Sequence, residues 1–594
     1  VKIGDIYIGK NAEAMKVVDL WKAAKDSKDS LGLNTNWRTY EDYCRNKQNP
    51  TTEDEDPGSV TNVIFPIIAS QVADSTDEPL DISVIGEEPS DQIFASDVEH
   101  ILDWFIYQNK MFFKIDRHEW RRLKFGTAGW KVYFDPIRKL IIIEPLSPVN
   151  FFPDPKIKEP WHLQEGDFMA HAIYQPIPYL RRFYGEPANK LRPDKNSTSD
   201  LNIFEGETND EARDSMSNKA RVIEMWTKEA KGILRRRVVG NDNVVLFDSK
   251  KDNNTSFYEH GNYPFILTPC YPVEGQIWGM GDTELLLPTQ DLINDLDDQV
   301  RINARLMGNI QVVVGLASGI NIKKWTAKAG LKIPARDHNA WKMVQPPPIP
   351  EYILRRRMEA MQEAEMISGR PDVVEGRRSG VRAASAIMAL QEAGNRRGRH
   401  KKIGLQESLS ECLIFGVDYL KEFFTEEQAY RILNKSIEAQ SGVPQYLWFR
   451  GSKLKKIPKL IPDGQDGALK TLLDEQGKEM TKDAKFDLRM NMGAGLPHNK
   501  AFVYNALLDL KREGIVTVEE SRIFLKDTLD WPIANVMAPV GNNFGMGPIM
   551  PGGRAGMAPP MPGGAGQVDG ESIPPEILQA LLATSGAAGQ GGIM

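Results

Sequence analysis

Cysteine is nearly absent from this chain of 594 residues: three thiols, Cys44, Cys270 and Cys412, stand far apart and form no CxxC pair. An odd count at that spacing supports neither a disulfide framework nor a thiolate zinc site, so a reducing compartment is the expectation. Histidine is sparse as well, with eight residues, no HExxH and no pair at helical spacing, which removes the common zinc-hydrolase pattern. No run of eighteen apolar residues occurs, so no membrane-spanning helix and no membrane partner are predicted. The first residues, VKIGDIYIGKNAEAMKVV, lack the basic-then-apolar pattern of a secretion signal. GxxxxGK[ST] and GxSxG are both missing, so neither a phosphate-cradling P-loop nor a serine nucleophile elbow is expected. An excess of positive charge is missing too. The net charge of −7 argues against a protein that coats nucleic acid along its whole surface.

What is present is alternation of helical and strand periods over a length that suits several domains or one elaborate subunit. Residues 1–60 read as polar helices with an acidic loop, TTEDEDPG, at 51–58. LDISVIG alternates as a strand, with Leu80, Ile82 and Val84 on one face. One long helix is predicted from about Ser90 to Arg122, where Ile93, Val98, Ile101, Leu102, Phe105 and Phe112 recur at helical steps. GWKVYFDP, KLIIIEPLSPVNFFPDP, RVIEMWTKE, ILRRRVVG and NVVLFDS read as strands, and the polar stretch 185–215 as an exposed insertion. A long helix is expected from Thr283 to about Met307, with Leu285, Leu286, Leu292, Leu296, Val300 and Leu306 as its apolar stripe. A short strand, helix and strand follow, then the stiff QPPPIP and a second helix from Pro350 to Ser368 with Met358, Met361 and Ile367 on one side. A third helix is read over 383–424, with Gly394, Gly398 and Gly404 marking a kink or a close backbone approach. YLWFRG and FDLRMNMG return to strand patterns. Two helices are read over 498–530. A Gly/Pro/Met-rich tail follows, with one short amphipathic helix at 574–584.

Three features invite a functional reading, and each has a plainer one. Asp291, Asp295 and Asp298 project from one helix face and offer oxygens to a hard cation; otherwise they form a solvated or intersubunit ion-pair face with Arg301 and Arg305. The loop GRPDVVEGRRSGVR carries Arg370, Arg377, Arg378 and Arg382. These suit phosphate contact, or pairing with Glu375, Asp372 or a neighbouring subunit. Lys323, Lys324, Trp325, Lys328 and Trp341 make either a docking surface with an aromatic anchor or a small core with lysines outside. The triple arginines of ILRRRVVG and YILRRRMEAM are expected on solvated faces, Arg235 and Arg237 sharing one side of a strand.

The order of these elements carries more than any one motif. FGTAGWKVYFDP with EPLSPVNFFPDP, then WGMGDTELLLPTQDLINDLDDQVRINAR, then SGVRAASAIMALQEAG, then FDLRMNMGAGLPHNKAFVYNALLDLKREGIVTVEE with LDWP together resemble the portal proteins of tailed bacteriophages across roughly 60–535. The resemblance implies an α+β portal fold. Its parts would be an N-terminal helical arm at 1–60, an α/β wing at 61–282, a first stem helix at 283–308 and a small α/β clip at 309–349. A second stem helix at 350–368, a tunnel loop at 369–382 and a long wing helix at 383–425 would follow, then more wing at 426–497, crown helices at 498–535 and a flexible tail at 536–594.

It further implies a non-enzymatic structural subunit without cofactor or metal. Such subunits form a head-to-tail connector ring, usually a 12-mer, at one capsid vertex of the virion, assembled in the host cytoplasm. Double-stranded DNA passes through the ring in packaging and ejection. Terminase, head–tail adaptor proteins and major capsid or scaffolding protein are the partners. Arg370, Val373, Val374, Arg377, Arg378 and Arg382 would lie in the tunnel loop, Lys323, Lys324, Trp325, Lys328 and Trp341 on the clip docking surface, and Asp291, Asp295, Asp298 and Arg301 on the stem channel face. The rival readings are a metal-dependent nucleic-acid enzyme using Asp291, Asp295 and Asp298, and a monomeric DNA-binding adaptor using the arginine loop.

Overall fold

The computed structural model describes residues 12–48, 58–76, 80–194, 218–249, 256–308, 311–315, 341–344, 348–369, 396–432, 446–463, 468–473 and 479–492. The chain divides into two units, Val1–Val503 and Tyr504–Met594, and every described residue lies in the first. In chain order the elements are α1 (Ala12–Ser30), α2 (Leu33–Cys44), α3 (Ile64–Thr76), β1 (Leu80–Gly86), α4 (Pro89–Gln108), α5 (Met111–Phe125), β2 (Thr127–Asp135), β3 (Leu140–Leu146), β4 (Phe151–Pro153), β5 (Phe168–Pro176), α6 (Ile177–Tyr184), β6 (Lys219–Glu229), β7 (Ile233–Gly240), β8 (Val244–Asp248) and β9 (Phe265–Pro269). Then come α7 (Asp282–Gly308), β10 (Gln311–Val314), β11 (Trp341–Val344), α8 (Glu351–Ser368), α9 (Arg396–Phe423), β12 (Gln428–Arg431), β13 (Tyr446–Phe449), β14 (Ile457–Pro458), β15 (Leu460–Asp463), β16 (Ala468–Thr471), β17 (Thr481–Lys482) and β18 (Phe486–Met492). The mixture of helices and antiparallel strands is that of an α+β protein. No helix among the described residues is long and apolar enough to cross a membrane.

Strands β4 to β8 form an antiparallel sheet in sequence order, and β3, β2 and β9 form a second one with β2 in the middle. The LDISVIG strand finds its partner some four hundred residues away: β1 pairs antiparallel with β18, Leu80 opposite Met492 and Gly86 opposite Phe486. As the alternation predicts, Ile82 and Val84 point into the core. Helix α9 lies across the largest apolar cluster, burying Leu405, Leu409, Leu413, Tyr419 and Leu420 with Trp130 and Phe105. The N-terminal helices belong to this body: Ala14, Val17, Val18 and Trp21 of α1 are buried on Phe152, Phe168, Ile223 and Met225 of the five-stranded sheet. At the end of α1, Lys28 is fully buried yet satisfied. Its ammonium donates to the carbonyls of Val149 and Phe151 at 2.8 and 3.3 Å and sits 4.6–5.2 Å from the rings of Phe152, Trp37 and Trp278.

Two expectations change. The helix read over 90–122 is two helices, α4 and α5, separated at Asn109 and Lys110, where Lys110 takes a left-handed φ of 51°. The apolar spacing runs through the break because both helices feed one core. The break comes from Asn109, whose buried amide is worth more against strand β3 than inside a helix. Its Nδ2 donates to the carbonyls of Phe105 and Ile141 at 2.9 and 2.8 Å, and its Oδ1 accepts from the Ile143 amide at 3.1 Å and from Lys114 at 3.0 Å.

The second change concerns ILRRRVVG, which is not a solvated face. Strand β7 lies between β6 and β8, so Arg235 is 1 % exposed and bonded to Glu229 at 3.3 Å. Arg237 pairs with Asp248 at 3.5 Å. Arg236 pairs with Glu224 at 2.9 Å, and Lys131 meets the other oxygen of that carboxylate at 2.5 Å. Burial opposes the Glu224 charge, but these two cations outweigh it and hold the carboxylate well below its usual range.

Replacing Asn109 by Leu keeps the volume and removes the four bonds. The expected cost is roughly 3 kcal/mol, measured as a fall in the unfolding midpoint in denaturant with little change in slope.

Candidate functional site: a helix pair and its buried polar root

Helix α7 is 27 residues long, about 40 Å at ~1.5 Å per residue, and α8 packs against it. Between them run β10 and β11, which pair antiparallel with Val314 opposite Trp341. The packed side of α8 is Ile353, Ala360, Ala364 and Ser368, of which the last three are small residues that let the two helix axes come close. The three residues read on one side of α8 do not share it: Met358 is outward at 64 % exposed, Met361 is half-buried, and Ile367 packs against the apolar cluster that holds Leu286 and Ala364. Beyond its first two residues, Asp282 and Thr283, the buried residues of α7 are Leu286, Ile293 and Leu296 together with the polar Thr289, Gln290 and Asn294. That polar share was not anticipated from the leucine spacing.

Gln290 and Asn294 have a shared task with Asp298. The extended segment 59–63 runs along α7, and its alternate backbone N–H groups donate to that row: Val63 to Gln290 at 2.9 Å, Thr61 to Asn294 at 3.3 Å, and Ser59 to Asp298. The match is geometric, since four helical residues advance ~6 Å and two extended residues ~6.6 Å. The row ends at Ser59, and the next helix position, Ile302, has no side-chain acceptor. Gln290 also donates to the Thr61 carbonyl at 2.7 Å, and Asn294 to Gln48 at 2.7 Å. Segment 59–63 is thus a strap on α7.

The acidic row expected to face a channel or a metal is accounted for residue by residue. Asp291 accepts from the Tyr43 hydroxyl at 2.5 Å, and Asp298 takes the strap amide and Arg301 at 3.2 Å. Asp295 is exposed. Asp297 accepts from Thr61 at 2.6 Å and from Arg357 of α8, and these bonds outweigh burial to lower its pKa. Among the described residues no three His, Cys, Asp or Glu side chains gather as metal ligands. The triple arginine of α8 is likewise engaged: Arg357 across to Asp297, Arg356 to Glu363 at 2.8 Å, and Arg355 to Glu359 at 3.4 Å.

The root of the pair is a buried polar node that sequence reasoning missed. Asp282, the first residue of α7, is 1 % exposed and meets the ammonium of Lys401 on α9, itself 5 % exposed. Lys401 also donates to Gln71 of α3 at 2.8 Å, and Gln71 donates to the carbonyl of Ser368, the last residue of α8, at 3.4 Å. Arg122 of α5 donates to the Lys401 carbonyl at 3.1 Å and forks onto Glu119. Burial opposes the Glu119 charge, but Arg122 and His118 prevail and hold it at a pKa of about 2. Burial also lowers the pKa of His118, whose ring is stacked 4.3 Å from Trp130 and bonded to Glu119 through Nδ1 at 3.0 Å.

The glycines of WGMGD serve the same root. Gly126 ends α5 at φ 81°, and a Cβ on Gly279 or Gly281 would fall 2.7 Å from the Gly126 carbonyl or 2.6 Å from that of Leu123. The chain therefore enters α7 in contact with the backbone end of α5. The glycines were the available signal, since Lys401 stands inside the basic run RRGRHKK, and they do not identify its partner.

Arg370, Val373, Val374, Arg377, Arg378 and Arg382 lie outside the described residues, as do Lys323, Lys324, Trp325 and Lys328, most of the 185–215 stretch, and everything from 493 on. What is described is the frame of the arginine loop: α8 closes at Ser368 and Gly369, and α9 is described from Arg396. The helix runs through Gly398 and Gly404 without a break, and Gly404 faces Arg122, a Cβ there lying 3.8 Å from its guanidinium. No protein-family model matches this chain, and no curated protein matches it.

Lys401→Met strands Asp282 as a buried charge and is expected to cost roughly 3–5 kcal/mol, whereas Lys401→Met with Asp282→Leu recovers part of it. A double-mutant cycle in denaturant measures both. Asn294→Leu removes the middle rung of the strap. Limited proteolysis within 49–58 is expected to run roughly tenfold faster while the global unfolding midpoint moves little.

Proposed function

We propose that this chain is the subunit of a phage portal ring, a homo-oligomer around one channel at a single capsid vertex, through which double-stranded DNA enters and leaves. The observation that carries the reading is the helix pair α7/α8. It joins through the β10/β11 ladder at one end and is fastened at the other to a node holding both helices that flank the arginine loop. This matches the stem, clip and loop order that the sequence resemblance implies. Terminase and the head–tail adaptor would then dock at the β10/β11 end.

Two physical features support it. Ile302, Met307, Tyr352, Leu354, Met358 and Met366 are each at least 46 % exposed along the pair in the single chain. So many outward apolar residues on adjacent helices ask for neighbours, and a ring of identical subunits supplies them through a head-to-tail contact that closes. The arginines of α8 and Arg301 are already paired with carboxylates of the same chain. A duplex sliding past meets few free cations there, and counterion release does not hold it. A metal-dependent enzyme gains no support from Asp291 and Asp298, each of which already engages one carboxylate oxygen within the chain, with Tyr43 and with Ser59 and Arg301 respectively.

Imaging the purified chain by negative-stain electron microscopy, with mass measurement in solution, tests the reading. A homogeneous ring with a central hole is expected. A chain that stays monomeric at all concentrations, with scaffolding protein added, overturns it.

A further inference from the structure

Helix α6 buries Ile177 and Leu180 on the five-stranded sheet with Ala188, Leu191, Val222 and Val238. Its other side is unusual. Tyr179 and Phe183 are 52 % and 51 % exposed, with ring centroids 6.3 Å apart and planes 13° from parallel. Arg181 and Arg182 flank them, both exposed, and neither pairs with a carboxylate among the described residues. Lys190 and Arg192, also exposed, extend the patch, and Glu186 is the only carboxylate between 177 and 192. Free guanidinium groups beside bare rings suit a ligand that is acidic and carries apolar side chains.

The chain contains such a segment and starts and ends it at α6. The described backbone stops at Asp194 and resumes at Asn218. The Asp194 amide donates to the Lys219 carbonyl at 3.0 Å, and the amide of Ile177, the first residue of α6, donates to the Asn218 carbonyl at 2.8 Å. Between them, residues 200–214 read DLNIFEGETNDEARD, six carboxylates against one arginine, with Leu201, Ile203 and Phe204 together. The bonds hold both tether points at the N-terminal end of α6, which puts the effective concentration of the segment near that helix on the order of millimolar.

We propose that the exposed side of α6 is a docking surface for an acidic, apolar-anchored peptide, and that its occupant is residues 200–214 of the same chain. The carboxylates neutralise Arg181 and Arg182, and the apolar residues cover Tyr179 and Phe183. Ring assembly plays no part in this contact, so it stands or falls separately from the portal reading.

Photo-crosslinking of the full-length chain tests it. The benzophenone amino acid p-benzoylphenylalanine replaces Tyr179, and isotope-labelled and unlabelled chains are mixed before irradiation. Crosslinked peptides are then read by mass spectrometry, with thermal midpoints confirming that each variant folds. Crosslinks to 200–214 within one isotopic form are expected. Their yield should fall about fivefold on adding R181E and R182E, or in about 1 M salt, which shortens the screening length to ~3 Å. Adding E205K and E207K to the double arginine variant should restore it. Crosslinks mapping elsewhere, crosslinks joining labelled to unlabelled chains, no crosslink in a folded variant, or a yield indifferent to charge reversal would each overturn the proposal.

Discussion

The architecture of the helix pair depends on one buried ion pair. An ammonium and a carboxylate removed from water are tolerated only when each satisfies the other and neighbouring groups take up the remaining bonds. Lys401 and Asp282 meet that requirement deep in the protein, and the groups that complete it come from three further helices. Gln71 supplies an acceptor, Arg122 caps the Lys401 carbonyl, and Gln71 passes the connection to Ser368. Moving α9 relative to α7 would separate charges in a low-dielectric setting. Moving α8 would strand the Gln71 amide. One pair therefore fixes where the first helix of the pair begins, where the second ends, and where the next helix passes.

Away from this root, the pair is stiffened by matched periods rather than by charge alone. Side chains four residues apart on α7 serve as acceptors for alternate amides of the strap, so a helix edge acts as one half of a ladder. The arrangement also uses up the polar groups that would otherwise look available for ligands. Asp297, Asp298, Arg301 and the α8 arginines are occupied inside the chain. What remains outward on the pair is largely apolar or acidic.

Much of this was legible in the amino-acid order, and the misses have identifiable causes. The bounds of α7 and α8 followed from apolar spacing and, for α8, from the proline before its first residue, and the alternation of LDISVIG gave the correct inward face. The break between α4 and α5 was hidden because Asn109 acts through strand β3, thirty residues on. The arginines of β7 looked solvated because a strand pattern does not reveal whether it lies at an edge or between two neighbours. Met358 and Ile367 of α8 do not share one side, because nine residues place them about half a turn apart around the helix.

By itself the sequence determined the local periods, the exclusion of metal, thiol and nucleotide motifs, and the order of elements on which the ring reading rests. Only the tertiary structure decided the pairings across long separations: Leu80 with Met492, Asp282 with Lys401, Ser59 with Asp298. The reason is physical. Helical and strand periods are set by the backbone within a few residues and leave a direct trace in the pattern of side chains. The partner of a buried charge or amide is set by the cost of leaving it unpaired, which every distant polar group of the right kind can offset until folding brings one of them within reach.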